Sequence, residues 1–114
     1  MADTELTIEV RDHAGWTVFD VAGELDLYTA GQLKERLRAL SDQGRHRLVV
    51  NLERVEFMDS TALGVLIGAR RRAREHDGEV VLAGPAEPVR KVLSITGLDR
   101  VFPIRDSVDQ ATSG

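Results

Sequence analysis

The 114-residue chain contains no cysteine, which excludes disulfides and thiolate metal sites outright. It also lacks an excess of positive charge: 15 Lys and Arg stand against 19 Asp and Glu, a net charge of -4. A nucleic-acid footprint needs a basic face, so this balance argues against direct nucleic-acid binding. No stretch approaches the roughly 18 consecutive apolar residues of a membrane span. The start, Met1-Ala2-Asp3-Thr4-Glu5, has neither the basic patch nor the apolar run of a secretory signal. A cytoplasmic protein with no membrane partner is expected. Internal repeats and low-complexity linkers are missing too, and the length suits one domain, 1–114, with an ordered core over about 4–111.

Reaction chemistry is equally sparse. His13, His46 and His76 are scattered, without metal-ligand spacing or a repeated Asp or Glu partner, so solvated or capping roles are expected. Met58 stands where the first glycine of a G-x-S-x-G nucleophile elbow would be. Phosphate-cradling loops and dinucleotide fingerprints do not occur. No catalytic residue, metal or cofactor is therefore assigned. Trp16 and Tyr28 are read as core and loop-packing residues rather than a ligand cage.

What is present is a regular alternation of strand and helix signals. Leu6–Val10 alternates apolar and polar residues, Asp12–Gly15 reads as a turn, and Trp16–Ala22 as a second strand, an opening hairpin. Gly23–Tyr28 reads as a loop. Thr29 and Gln32 have capping-box spacing ahead of a one-sided helix carrying Leu33, Leu37 and Leu40. Arg47–Leu52 is a nearly continuous apolar run, as in a strand buried on both faces, and the chain stays extended through Phe57. A helix from about Ser60 to Glu75 follows, then an interior strand at Glu79–Ala83. Pro88 opens a short helix that Gly97 closes in a left-handed conformation. Val101–Ile104 is a short edge strand, and Ser107 caps a final turn before a fraying end at Thr112-Ser113-Gly114. The fold class is α/β, with a mixed four- to five-stranded sheet and about four helices.

The passage Asp59-Ser60-Thr61 carries the most information, because it sits where an extended segment becomes a helix. Such residues satisfy the free N–H groups of a first turn, and the same turn tolerates negative charge. Ser60 is thus either a helix cap or a switch, just past the carboxyl end of an interior strand. At about 100° per residue, Ser60, Gly64, Gly68, Arg71 and Glu75 share one side, opposite Leu63, Val65, Leu66, Ile67, Ala69 and Ala73. Gly64 and Gly68 each cost roughly 0.8–1.0 kcal/mol against alanine in a helix. Either another part of the chain, such as the Glu24–Asp26 loop, crosses closely there, or the stripe is a docking surface. Rotation leaves both open. Arg71 lies roughly 16 Å along the axis from Ser60, too far to clamp a phosphate on it. The run Arg70-Arg71-Arg72-Ala73-Arg74 fans around the helix and reads as a solvated face.

Gly23-Glu24-Leu25-Asp26 with Thr29-Ala30, Asn51-Leu52, the stretch Phe57–Leu66, and Thr96-Gly97-Leu98 with Val101-Phe102 together resemble a STAS domain of the anti-sigma factor antagonist family. The likeness covers nearly the whole chain. It implies that Ser60, flanked by Asp59 and Thr61, is phosphorylated by a partner anti-sigma factor with ATP-dependent serine kinase activity. It implies a docking surface around Asp59, Ser60 and Thr61 that the loop with Asp26 helps form, and the docking reading of the helix stripe extends the partner-binding residues to Glu24, Gly64, Gly68 and Arg71. Unphosphorylated, such a domain binds the anti-sigma factor and frees a sigma factor; a serine phosphatase restores it after modification. Ala62 departs from the usual glycine of the pattern, which implies a stiffer first turn. A different reading is a STAS-type sensor or scaffold that binds a nucleotide or other small ligand, with Ser60 a cap touching it.

Overall fold

The computed structural model describes residues 6–113. Five strands form one sheet in the order β1-β2-β3-β4-β5. Strand β1 (Thr7–His13) pairs antiparallel with β2 (Trp16–Leu25). The two-residue turn Ala14-Gly15 has φ of 53° and 86°, the left-handed pair that matches the twist of a tight hairpin. Strands β3 (Arg47–Met58), β4 (Glu79–Ala83) and β5 (Ile104–Arg105) then add in parallel. Helix α1 (Ala30–Asp42) connects β2 to β3, and α2 (Ser60–Arg74) connects β3 to β4. Both helices therefore run against the strands, and their amino ends lie on the same edge of the sheet. Helix α3 (Glu87–Ile95), a 3-10 turn at Leu98–Arg100 and α4 (Val108–Thr112) complete the chain.

The period-two alternation of β2 and β3 divides two unequal cores. Phe19, Val21, Leu48, Val50 and Leu52 face Leu33 and Leu37 of α1, Leu63 and Leu66 of α2, and Val89 and Leu93 of α3. On the opposite face Val18, Val49, Val81 and Ala83 pack under Val108 and Ala111 of α4. This explains the unbroken apolar run Leu48-Val49-Val50, since both faces of β3 are covered there. Past α4 the second face turns polar, and Asn51 donates to Asp20 at 2.8 Å.

Several expectations hold. Ser107 caps α4 by accepting from the Gln110 N–H, and Gly97 adopts φ of 77° after α3, whereas the edge strand expected over Val101–Ile104 falls instead at Ile104–Arg105, after Pro103. Others are corrected. The segment Gly23-Glu24-Leu25 is strand, not loop: Glu24 and Leu25 pair with Phe57 and Met58 across a bulge that Gly23 absorbs at φ of 116°. Thr112 does not fray; it is buried, and its hydroxyl donates to the Val108 carbonyl at 3.0 Å. Residues 4 and 5 of the expected ordered core, and Gly114, lie outside the described residues.

Of the histidines, exposed His76 takes the capping place expected, and His46 departs from expectation by stacking on it. His46 and His76, 30 positions apart, stack with ring centroids 4.1 Å apart, while His76 Nδ1 lies 3.0 Å from the Arg72 carbonyl at the end of α2. Trp16 is half-buried at the margin of the smaller core, with the Arg47 guanidinium 4.5 Å over its ring. Gly78 is required where the chain re-enters the sheet, because a Cβ there would stand 1.9 Å from the His46 carbonyl oxygen.

Candidate functional site

Strand β3 is interior, and Ser60 begins α2 two residues after it ends. The cap is Asp59 rather than Ser60. Asp59 is extended, and its Oδ1 accepts from the N–H groups of Thr61 (2.9 Å) and Ala62 (3.1 Å). Ser60 is then the first helical residue, exposed, with a hydroxyl that no described residue engages in a hydrogen bond. A substituent on that oxygen meets solvent and the amino end of a helix, where negative charge is favoured.

The second oxygen of Asp59 reaches across to the β2–α1 loop and accepts from the Leu27 N–H at 3.1 Å. That loop is organised by Asp26, whose Oδ1 accepts from the N–H groups of Tyr28 (2.9 Å) and Thr29 (3.1 Å), as in an Asx turn. Thr29 does not form the capping box expected with Gln32. Its hydroxyl instead donates to the Glu24 carbonyl at 2.7 Å and accepts from the Asp26 N–H at 3.0 Å. The competing partner is a local one, two backbone groups already held in place by the end of β2. Asp26 and Asp59 thus shape this surface through the backbone.

The consequence is an apolar rim. Leu27 and Tyr28 are 67% and 88% exposed, so Tyr28 packs on nothing, contrary to its reading as a loop-packing residue. Phe57, 48% exposed, lies at the end of β3 opposite Glu24. On α2, Leu63, Leu66, Ala69 and Ala73 are buried as expected, but Ile67 is 40% exposed and Val65 only half-buried. Ile67 stands about 20° from Ser60 around the helix, which places it on the open stripe with Gly64 and Arg71. Sequence reading missed these exposed apolar residues. Their signal was two large apolar residues in a loop just before a helix, and an isoleucine at seven-residue spacing from the serine.

The two glycines of α2 are not crowded. A Cβ on Gly64 would meet nothing within 4 Å, and one on Gly68 would meet only the end of the Arg72 side chain at 3.6 Å. No crossing segment demands them, and the Glu24–Asp26 loop does not cover them. The close-approach explanation fails. Ala62, by contrast, is fully buried in the main core. Ser60, Thr61, Gly64 and Arg71 are exposed along one helix face, with half-buried Gly68 beside them, and half-buried Glu24, Asp26 and Asp59 border its amino end. The arginine run is not the uniformly solvated face expected: Arg70 and Arg74 pair with Glu79 at 3.0 and 3.1 Å, Arg72 is half-buried, and Arg71 is exposed.

Residues 6–111 match the family model described as the STAS domain. An anti-sigma-B factor antagonist of Staphylococcus epidermidis is 33% identical over 104 residues, 91% of this chain and 96% of that protein. The crystal structure of an anti-sigma factor antagonist from Mycobacterium paratuberculosis superposes with a TM-score of 0.89 at 30% identity, over 98% of this chain and 95% of that one. The Bacillus cell fate determinant SpoIIAA in its phosphorylated form superposes with a TM-score of 0.74 at 25% identity, over 94% and 97% of the two chains. With a mixed five-stranded sheet opened by an antiparallel hairpin, and with relatives that are anti-sigma factor antagonists, this chain belongs to the STAS domain family.

Proposed function

We propose that the chain is a cytoplasmic anti-sigma factor antagonist acting as a binding module rather than an enzyme. Its unphosphorylated form docks on an anti-sigma factor with serine kinase activity and frees a sigma factor. Phosphorylation of Ser60 by that partner switches docking off, and a serine phosphatase restores it. The observation that carries this reading is the Ser60 hydroxyl, exposed at the first position of α2 while Asp59 does the capping. Modification then leaves the helix cap intact.

The switch works through the surface around the hydroxyl. Leu27, Tyr28, Phe57 and Ile67 offer apolar area that becomes dry when covered. A phosphate adds about -1.5 to -2 charge at its centre, and Arg71, roughly 16 Å away along the helix axis, is too far to neutralise it. Burying a charge unpaired in an interface costs about 2–5 kcal/mol, and roughly 4 kcal/mol weakens binding about a thousandfold. Two relatives carry the antagonist name, and a structural neighbour is a phosphorylated form, which supports the assignment.

Incubation with a cognate anti-sigma kinase and ATP is expected to add one phosphate, located at Ser60 by peptide mass spectrometry. Ser60→Asp is expected to lose binding to the unmodified partner, and Ser60→Ala to keep binding while refusing phosphate. Undiminished binding by a folded Ser60→Asp variant overturns the switch.

A further inference from the structure

Helices α1 and α2 pack side by side in the same direction, yet an open groove of about 470 Å³ runs between their outer faces. Three glycines line it beside Ala30 and Val65. Gly31 on α1 and Gly64 on α2 both have empty space where a Cβ would be, and Gly68 faces only a flexible arginine tip. Neither α1 nor α2 needs those glycines for its own packing, and each is a poor helix former. What they do is leave the helix backbones bare along a channel whose open end is bordered by Leu27 and Thr61, next to Ser60.

The other end is cationic. Lys34 and Arg38 lie one turn apart on α1, and Arg71 and Arg72 face them from α2. No carboxylate lines the groove, although acidic residues outnumber basic ones in the chain. The arginines next to these two on α2 behave differently: Arg70 and Arg74 are neutralised by Glu79. Among the described residues none of the four groove cations has an ion-pair partner, and Arg72 Nε is buried without a hydrogen-bond acceptor. Four cations without a described ion-pair partner, along a groove with little side-chain bulk on its floor, are complementary in charge and shape to an anionic chain.

We infer that the α1–α2 groove receives an acidic segment of the anti-sigma partner, its backbone over the glycines and its carboxylates against Lys34, Arg38, Arg71 and Arg72. The inference rests on the docking proposed above and deepens it. The segment anchors the partner along the groove and brings the partner's surface to Ser60 at the open end. The distance from Ser60 to Arg71 along α2, roughly 16 Å, exceeds the Debye length of about 10 Å at 0.1 M salt. The groove therefore supplies steering and hold that phosphate on Ser60 does not directly cancel.

The test uses the full chain and the anti-sigma kinase that binds it, with affinity measured by calorimetry at low and high salt. Lys34→Ala with Arg38→Ala, both exposed, should leave the melting temperature unchanged, weaken binding about tenfold at low salt, and flatten the salt dependence. Gly31→Met fills the floor from the α1 side without touching charge and should weaken binding at either salt. Wild-type affinity and salt dependence in both variants overturn the groove. So does saturable binding of ATP or pyrophosphate there, displaced by the rim substitutions while partner affinity stays put, since the site is then one for small anions. Ser60→Asp, measured alongside, separates the two proposals. Loss with Ser60→Asp but not with the rim variants keeps the switch and rejects the groove. Loss with the rim variants alone supports the groove as the anchor of a partner that Ser60 does not control.

Discussion

The carboxylate of Asp59 accepts the N–H of Leu27 at 3.1 Å, joining the β2–α1 loop to the amino end of α2 across 32 positions of sequence. The same side chain caps α2 through Thr61 and Ala62. One residue therefore holds both halves of the surface around Ser60. Removing it should cost more than a cap alone.

Asp59→Ala is expected to destabilise the fold by about 1–2 kcal/mol, the upper part of the range for a lost cap, read as a lower urea midpoint at unchanged slope. Amide exchange at Leu27 and Tyr28 should quicken as well, because the loop loses its tether. Asp59→Asn keeps one carbonyl acceptor, so it should preserve either the cap or the tether and fall between the two.

Substitution at Ser60 should separate stability from binding. Its hydroxyl supports no described contact, so Ser60→Ala should change stability by less than about 0.5 kcal/mol. Ser60→Asp should be neutral or stabilising by up to about 1 kcal/mol through the helix dipole. Thermal melts check both. A strongly destabilised Ser60→Asp would mean that its effect on docking is only unfolding.

Ala62 and Gly64, two positions apart, should respond in opposite ways. Gly64→Ala adds a methyl group into open space on a helix, which should stabilise the protein by about 0.8–1.0 kcal/mol while weakening partner binding. Ala62→Gly, the residue usual in the family pattern, removes a fully buried methyl group and should destabilise by about 1 kcal/mol or more. Denaturant titrations of both proteins, beside a binding measurement on Gly64→Ala, decide this. Tighter binding by Gly64→Ala would contradict a docking role for the stripe.

On the far face of the sheet, Arg11 Nε donates to Asp20 at 2.6 Å and Asn51 Nδ2 donates at 2.8 Å. The hydrogen bond from Arg11, aided by Asn51 against partial burial, holds the Asp20 carboxyl below its ordinary value of 3.8. A depressed folded-state value means that the contribution is present above pH 3.8 and is lost as pH falls through the folded value beneath it. Asp20→Asn should therefore lower stability near neutrality by about 0.2–1 kcal/mol, as for a partly exposed pair. The gap to wild type should close in acid. Melting temperatures from pH 7 to pH 2.5 follow it.

Much of this was legible locally. Alternation gave β1 and most of β2, the apolar run gave β3, and Pro88 with Gly97 bracketed α3, because each signal lies within a few residues of its effect. Gly23-Glu24-Leu25 misled because it becomes strand only by pairing with the end of β3, more than 30 positions on. Thr29 misled for a similar reason: its spacing fits a capping box, but the Glu24 carbonyl and the Asp26 N–H, set in place by the end of β2, engage its hydroxyl instead. Ile67 was set among the core residues although seven steps of about 100° bring it within about 20° of Ser60, so helix rotation itself places it on the open stripe.

From the sequence alone came the strand-to-helix transition that holds Ser60, the side of α2 on which it stands, and the resemblance that ties it to a family. These depend on backbone periodicity and short-range capping, which act through adjacent residues. Packing alone decided why Gly64 and Gly68 are there, which apolar residues surround the serine, and that cations from α1 and α2 face one another across a bare groove. A glycine is the same letter whether a neighbour crowds it or leaves it open, and only the position of distant chain segments tells the two apart.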